Sequence, residues 1–349
     1  MQAKQRIFLS GPDRMAAARN LLLVACAVLL TACAGIAPRD PLPSWNEGPV
    51  KSAILKIVAD TTKEGAPGFV PPAERIATFD NDGTLWNEHP MYVEVMYTLA
   101  RIKEMAPQHP EWKTQQPFAA VVDGDRAAMG KLTERDFFAL MAATRAGQRP
   151  EDVRQQVATW LAASKHPRFN RPYTDLVYQP MLEVLAYFRA NGYKTFIVTG
   201  GTIDFVRSFA ERVYGVPPEQ VVGTTFEATY SFDNGVAAVR LEPKPAAIND
   251  GPGKSIGMHR NIGRVPIAAF GNSDGDIAML EITTNSPESR QYPRLGAFVW
   301  HTDAVREYAY DKDTSVGRLD KGLTLAPQLG WQLIDMKRDW KVIFPYELK

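Results

Sequence analysis

Two aspartates, Asp80 and Asp82, follow the run Ile76-Ala77-Thr78-Phe79 and lead into Gly83-Thr84. A short apolar run containing Ile and Phe suits a buried strand. In an open α/β sheet, ligands bind just beyond the carboxyl ends of parallel strands, so both acids would sit at a site. Carboxylates placed there need a cationic partner, because buried unpaired charge is costly. Mg²⁺ suits them: it is a hard cation that takes few oxygens from protein and the rest from water and phosphate. No paired-histidine spacing accompanies the acids, which argues against zinc.

Three further pieces follow in order: Phe196-Ile197-Val198-Thr199-Gly200-Gly201, Lys254 at the head of a predicted helix, and Gly271-Asn272-Ser273-Asp274-Gly275-Asp276 after a predicted strand Val265 to Phe270. Together with Asp80-x-Asp82-Gly83-Thr84 they resemble motifs I to IV of the haloacid-dehalogenase-like (HAD) phosphohydrolases. The resemblance covers roughly residues 73 to 301 and is strongest to the phosphoserine-phosphatase-like branch. It implies that Asp80 is the nucleophile that takes up a phosphoryl group, and that Asp82 is the general acid and base. It also implies that Thr199, Gly200 and Lys254 bind the phosphoryl oxygens. Mg²⁺ would be held by Asp80, the backbone carbonyl of Asp82, and the fourth motif. Dehalogenating relatives lack an acid at the second position and ion-pumping ATPases carry threonine there, so Asp82 favours a phosphatase.

Two features depart from the simplest pattern. Lys244, between Pro243 and Pro245, competes with Lys254; the latter is preferred because it opens a helix shortly before motif IV. Where the family commonly has Gly-Asp, this chain has Gly271-Asn272, so the metal would meet an uncharged amide oxygen. Asp276 then aligns with the later acid of the motif, as a water-mediated ligand or an anchor, and Asp274 is an additional acid that offers an alternative ligand to the metal. Trp86 and Glu88 lie where the chain leaves motif I. They would either line a leaving-group pocket, with Glu88 receiving an amine or hydroxyl, or serve as hinge packing and polar surface. His301, ending a predicted core strand, reads as structural.

The elements that must position these residues alternate between strand and helix, which implies a parallel sheet covered on both faces. More than a hundred residues separate motifs I and II. Helical periodicity over Met91 to Met105, a Thr133/Asp136 capping pattern and Pro150 ahead of Glu151 to Ala163 predict an inserted helical cap at 90–172. The core then comprises 73–89 and 173–301. Within it, Thr202 to Tyr214 reads as one helix, and Asp233-Asn234-Gly235 as the tight turn of a hairpin. The segment 302–349 is aromatic-rich and reads as a surface layer without chemistry.

Composition sets the outer bounds. The 349 residues are 45% hydrophobic and 23% charged, with formal charge +1, an ordinary globular balance that offers nothing to a nucleic acid. Arg14 and Arg19 precede the apolar run Leu21 to Leu30, which is short for a membrane span and ends in Leu30-Thr31-Ala32-Cys33. This resembles a bacterial lipoprotein signal at residues 1–32. Cys33 would be lipidated, and 33–72 would form a proline-rich tether and a first helix. The remaining chain would then have no free thiol, which excludes cysteine catalysis. Ala34 rather than an acid after Cys33 resembles outer-membrane sorting, if the source is Gram-negative.

The resulting expectation is a lipid-anchored, envelope-facing α/β phosphatase with a helical cap. It would hydrolyse a small phosphorylated metabolite with Mg²⁺ through an aspartyl-phosphate. The alternatives are a phosphotransferase or mutase using the same intermediate, or a phosphate-ester-binding lipoprotein that has lost turnover.

Overall fold

A computed structural model describes residues 40–348, and the chain from Leu42 onward forms one unit. The expected signal segment and Cys33 lie outside the described residues. The first helix among the described residues, α1 (Pro49–Thr62), opens on proline and buries Val50, Ile54, Ile57 and Val58 as a stripe along one face. The prolines after it deliver the chain to β1 (Ile76–Phe79), which is buried at every position.

After β1 the chain runs through α2 (Val93–Met105), α3 (Phe118–Val122), α4 (Arg126–Met129), α5 (Glu134–Ala143) and α6 (Pro150–Ala163). The Thr133/Asp136 pair forms a reciprocal capping box at the head of α5. This helical stretch has a small apolar centre of its own at Ile102, Trp112, Val121 and Leu140. Next come α7 (Gln179–Ala190) and β2 (Lys194–Thr202). The single helix expected over 202–214 is two, α8 (Ile203–Arg207) and α9 (Ala210–Tyr214), because Phe209 leaves helical geometry at φ −136°. The chain continues through β3 (Val221–Asp233), β4 (Val236–Ala247), α10 (Pro252–Asn261), β5 (Ala268–Gly271), α11 (Ile277–Asn285) and β6 (Leu295–Trp300). It ends with α12 (Lys321–Leu329), β7 (Gln332–Asp335) and α13 (Met336–Asp339).

The seven strands form one sheet in the order β4-β3-β2-β1-β5-β6-β7, parallel except for the β3–β4 hairpin. Phe79 pairs with Ile197 on one side and Phe270 on the other; β1 and β5 finish at nearly the same level, while β2 runs on to Thr202 with a register shift after Val198. That register brings Asp80, Thr199 and Asn272 out along one edge, the carboxyl edge where such sheets bind ligands. Apolar side chains cover both faces. Phe79 stacks on Phe270 with centroids 4.8 Å apart on one, while Phe196, Val198, Met258 and Phe298 pack on the other.

The tail corrects the expectation of a surface layer. β7 extends the sheet beside β6, and Trp340, Ile343 and Phe344 are buried in the main core. Trp340 meets Trp45 edge-on at 5.9 Å. Among the described residues, no helix is long and apolar enough to cross a membrane.

Candidate active site

The loop after β1 is closed by its own backbone. The carbonyl of Asn81 accepts from the amides of Thr84 and Leu85, and the Gly83 amide donates to the Trp86 carbonyl at 2.9 Å. Gly83 takes φ +69°, and a Cβ there would stand 2.0 Å from Asn272 Nδ2 and 2.4 Å from Glu88 Oε1. Glycine is thus required twice, for the turn and for the close approach of motif IV.

Asp80, Lys254 and Asp276 form the centre. Lys254 Nζ donates to Asp80 Oδ1 at 2.6 Å and to Asp276 Oδ1 at 2.5 Å, and all three side chains are buried. Lys254 reaches them from the first turn of α10, whereas Lys244 lies on the exposed hairpin and pairs with Glu227. Burial, then the Asp276 charge, pushes the Asp80 carboxyl above its usual range, against the pull of Lys254. Burial alone would lower the Lys254 pKa, but Asp276 and Asp80 outweigh it and the net shift is upward. The second oxygen of Asp276 accepts the amides of Asn272 and Ser273, both at 3.0 Å. Asp276 therefore anchors the motif IV loop with both oxygens committed. Asp274 turns away and accepts the amides of Asp320, Lys321 and Gly322 at the head of α12.

Asp82 is held from behind. Trp86 Nε1 donates to its Oδ1 at 2.8 Å, and the fully buried indole stacks on Phe209 at 4.6 Å. Of the two roles left open for Trp86, pocket lining and packing, its burial favours packing: the ring fixes the acid and faces no open space. Burial pushes the Asp82 carboxyl up to about 6, and the indole hydrogen bond opposes that rise.

Thr199 and Gly200 lie in the irregular stretch of β2 between Val198 and Thr202, where its register shifts. Thr199 Oγ1 accepts from the Gly201 amide at 3.0 Å, while Asn249 Nδ2 and Thr224 Oγ1 hold the carbonyls of Thr199 and Gly200. Nothing in the sequence pointed to the next contact. Glu94, from α2, accepts the Thr202 amide at 2.8 Å as well as the Thr202 hydroxyl and the buried Arg145 guanidinium. This pair ties the inserted helices to the motif II loop.

Glu88 is 1% exposed, which rules out surface polarity as its role. Its Oε1 accepts from Asn272 Nδ2 at 2.7 Å and Tyr310 Oη at 2.6 Å. Burial raises its pKa well above the ordinary value, with Asp82 and Asp80 adding to the shift. His301 is structural, as expected: Nε2 donates to the Gly83 carbonyl at 2.8 Å and Nδ1 faces Glu307 at 3.2 Å. Glu307 in turn accepts from Asn87 and Tyr178. Two surface clefts, one near Glu134 and Pro243 and one near His259 and Tyr292, contain none of these residues.

A carboxylate at the tip of the central parallel strand, paired to a lysine from a following helix, defines a class of α/β hydrolases built around a strand-end aspartate. The chain belongs to the haloacid dehalogenase-like hydrolases, whose family profile matches residues 77–281. No curated protein matches the sequence. Among solved structures, a conserved protein of unknown function from Anaerococcus prevotii DSM 20548 is 17% identical and has a TM-score of 0.51, covering 73% of this chain and 86% of its own. A phosphoserine phosphohydrolase-like protein from Francisella tularensis subsp. tularensis SCHU S4 is 13% identical, with a TM-score of 0.40 over 76% of this chain and 97% of its own. A probable phosphoserine phosphatase from Vibrio cholerae is 16% identical, with a TM-score of 0.37 over 72% of this chain and 65% of its own.

Proposed function

We propose that the protein is a phosphatase that hydrolyses a small phosphate monoester through a phosphoryl group carried on Asp80. The observation that carries this reading is Lys254 bonded at once to Asp80 and Asp276, at 2.6 and 2.5 Å, beside the ends of β1 and β5. Such hydrolysis is among the slowest uncatalysed reactions, so the site must lower the barrier by on the order of 20 kcal/mol. Fixed charge around the phosphoryl group is the largest single contribution available.

In the first half-reaction a carboxylate oxygen of Asp80 bonds to phosphorus as the ester P–O bond breaks, and the leaving oxygen takes a proton from Asp82. In the second, Asp82 accepts a proton from the water that attacks the aspartyl-phosphate, and Asp80 is released with inorganic phosphate. A pKa of about 6 leaves Asp82 able to occupy both states near neutrality. Thr199 and the Gly200 backbone would receive the phosphoryl oxygens, with Lys254 as the fixed positive charge.

The donor set suits Mg²⁺. Among the described residues no group of three or more His, Cys, Asp or Glu side chains could hold a metal, which disfavours a closed protein cage. An ion that takes few protein oxygens and keeps its waters fits the Asp80 carboxylate, the Asp82 carbonyl and the Asn272 amide oxygen, with Asp276 steadying the loop. Bound there, Mg²⁺ would offset the charge of the phosphoryl oxygens.

The full chain is expected to release phosphate from p-nitrophenyl phosphate and from members of a phosphate-ester panel. Release should require Mg²⁺ and be lost in Asp80→Asn. Binding without turnover across the panel, or an active Asp80→Asn variant, would overturn the reading. Export and lipidation at Cys33 belong to the same proposal; Cys33→Ser should remove the lipid mass and release the protein from membranes.

A further inference from the structure

Motif IV offers Asn272 where a carboxylate would add negative charge to a cation site, and another residue occupies the space beside it. Glu88 Oε1 lies 2.7 Å from Asn272 Nδ2, so the nitrogen of that amide faces the carboxylate. The amide oxygen is left on the opposite side, where Thr84 Oγ1 approaches at 3.3 Å. Glycines from two distant segments make room for the glutamate. A Cβ would fall 2.4 Å from Glu88 Oε1 at Gly83, and 1.8 Å from it at Gly317, which has φ +66°.

Structural needs alone do not account for a carboxylate in this place. Its partners are an amide and a phenol, both neutral, and among the described residues no Lys, Arg or His forms an ion pair with it. A buried carboxylate satisfied only by neutral groups is costly to retain. A cation held at Asn272 would offset that cost, since opposite charges attract across a buried site.

We infer that Glu88 supplies the negative charge that motif IV lacks at Asn272, acting through the Asn272 amide as a positioning residue that turns the amide oxygen toward the cation. The inference rests on the Mg²⁺-dependent reading above and adds a specific exchange to it: the acid has moved from the end of β5 to the loop after β1.

The test is Mn²⁺ affinity, measured by electron paramagnetic resonance on the full chain without substrate. Wild type, Glu88→Gln, and the swap Glu88→Gln/Asn272→Asp are compared, with circular dichroism as a check on folding. Glu88→Gln should weaken binding about 10- to 100-fold, the usual effect of losing a group behind a metal ligand. The swap, which restores one carboxylate to the pair, should return affinity to within about threefold of wild type. A Glu88→Gln variant that binds like wild type, or a swap no better than the single change, would overturn the inference while leaving the phosphatase reading intact. A wild-type protein that binds no Mn²⁺ would sink both. Should the variants fold poorly, wild-type crystals grown with Mn²⁺ decide: an anomalous peak at Asn272 Oδ1 supports the inference, and a peak elsewhere refutes it.

Discussion

Replacing Lys254 with methionine tests the centre of the site without reference to any substrate. The side chains of Lys254, Asp80 and Asp276 are only 3%, 8% and 0% exposed, so methionine would leave two carboxylates facing each other out of water. Removing one partner from a buried ion pair costs about 3–5 kcal/mol. For a unit this large, each kcal/mol lowers Tm by roughly 2 °C, so a fall of roughly 6–10 °C is expected. The pH dependence fixes the mechanism. In wild type the raised Lys254 pKa keeps its contribution in place at every pH below the ordinary lysine value of about 10.4, so it does not titrate away in the working range. In Lys254→Met, burial and the Asp276 charge push the Asp80 carboxyl further up, because the lysine no longer opposes them. The penalty should therefore be largest at pH 7.5 and shrink as Asp80 takes up a proton toward pH 5. Urea denaturation in the presence of EDTA at both pH values measures this. Adding Asp80→Asn to Lys254→Met should recover part of the loss, because one acid then remains to be buried. A Lys254→Met loss below about 1 kcal/mol at pH 7.5, or one independent of pH, would refute the geometry.

Three other outcomes follow from single contacts. Trp86→Phe keeps the stack on Phe209 but removes the donor that opposes the rise of Asp82, so the kcat/KM limb governed by Asp82 should move alkaline from about 6, with activity down about tenfold; an unmoved limb would assign it to another group. Arg145→Met leaves Glu94 buried without its cation, and should cost about 3 kcal/mol and speed hydrogen exchange at the Thr202 amide; unchanged exchange there would show that the pair does not hold the loop. Asp204 is buried with Oδ1 unpartnered and its pKa raised by burial, so its charge destabilises the fold as pH rises through that value. Asp204→Asn should thus stabilise the protein by roughly 1 kcal/mol at pH 7.5 and not at all near pH 3, as pH-dependent urea melts would reveal.

What could be read from sequence was what lies within a few residues along the chain. Asp80-x-Asp82-Gly83 announces a strand tip and a tight turn, and Thr133/Asp136 announces a helix start, because the partners are neighbours in sequence. Lys254 could be preferred to Lys244 on its place before motif IV, and it is Lys254 that pairs with Asp80 and Asp276. The break at Phe209 had no local signal; its ring is taken up by the stack on Trp86, which helix propensity does not register. Glu94 and Arg145 belong to no motif, and their meeting with Thr202 spans 108 and 57 residues. The same is true of Glu88: its burial is set by Asn272 and Tyr310, 184 and 222 residues downstream. The tail looked inert because its aromatic residues signal packing in general and no particular partner.

The groups that orient the first loop come from far along the chain, His301 at 218 residues and Tyr310 at 222. During synthesis, the two acids therefore emerge long before their scaffold does. A nascent or prematurely ended chain carries the charges without the framework that aims them. Assembly is in this way its own safeguard: no competent centre arises until the last quarter of the polypeptide has arrived and closed behind it.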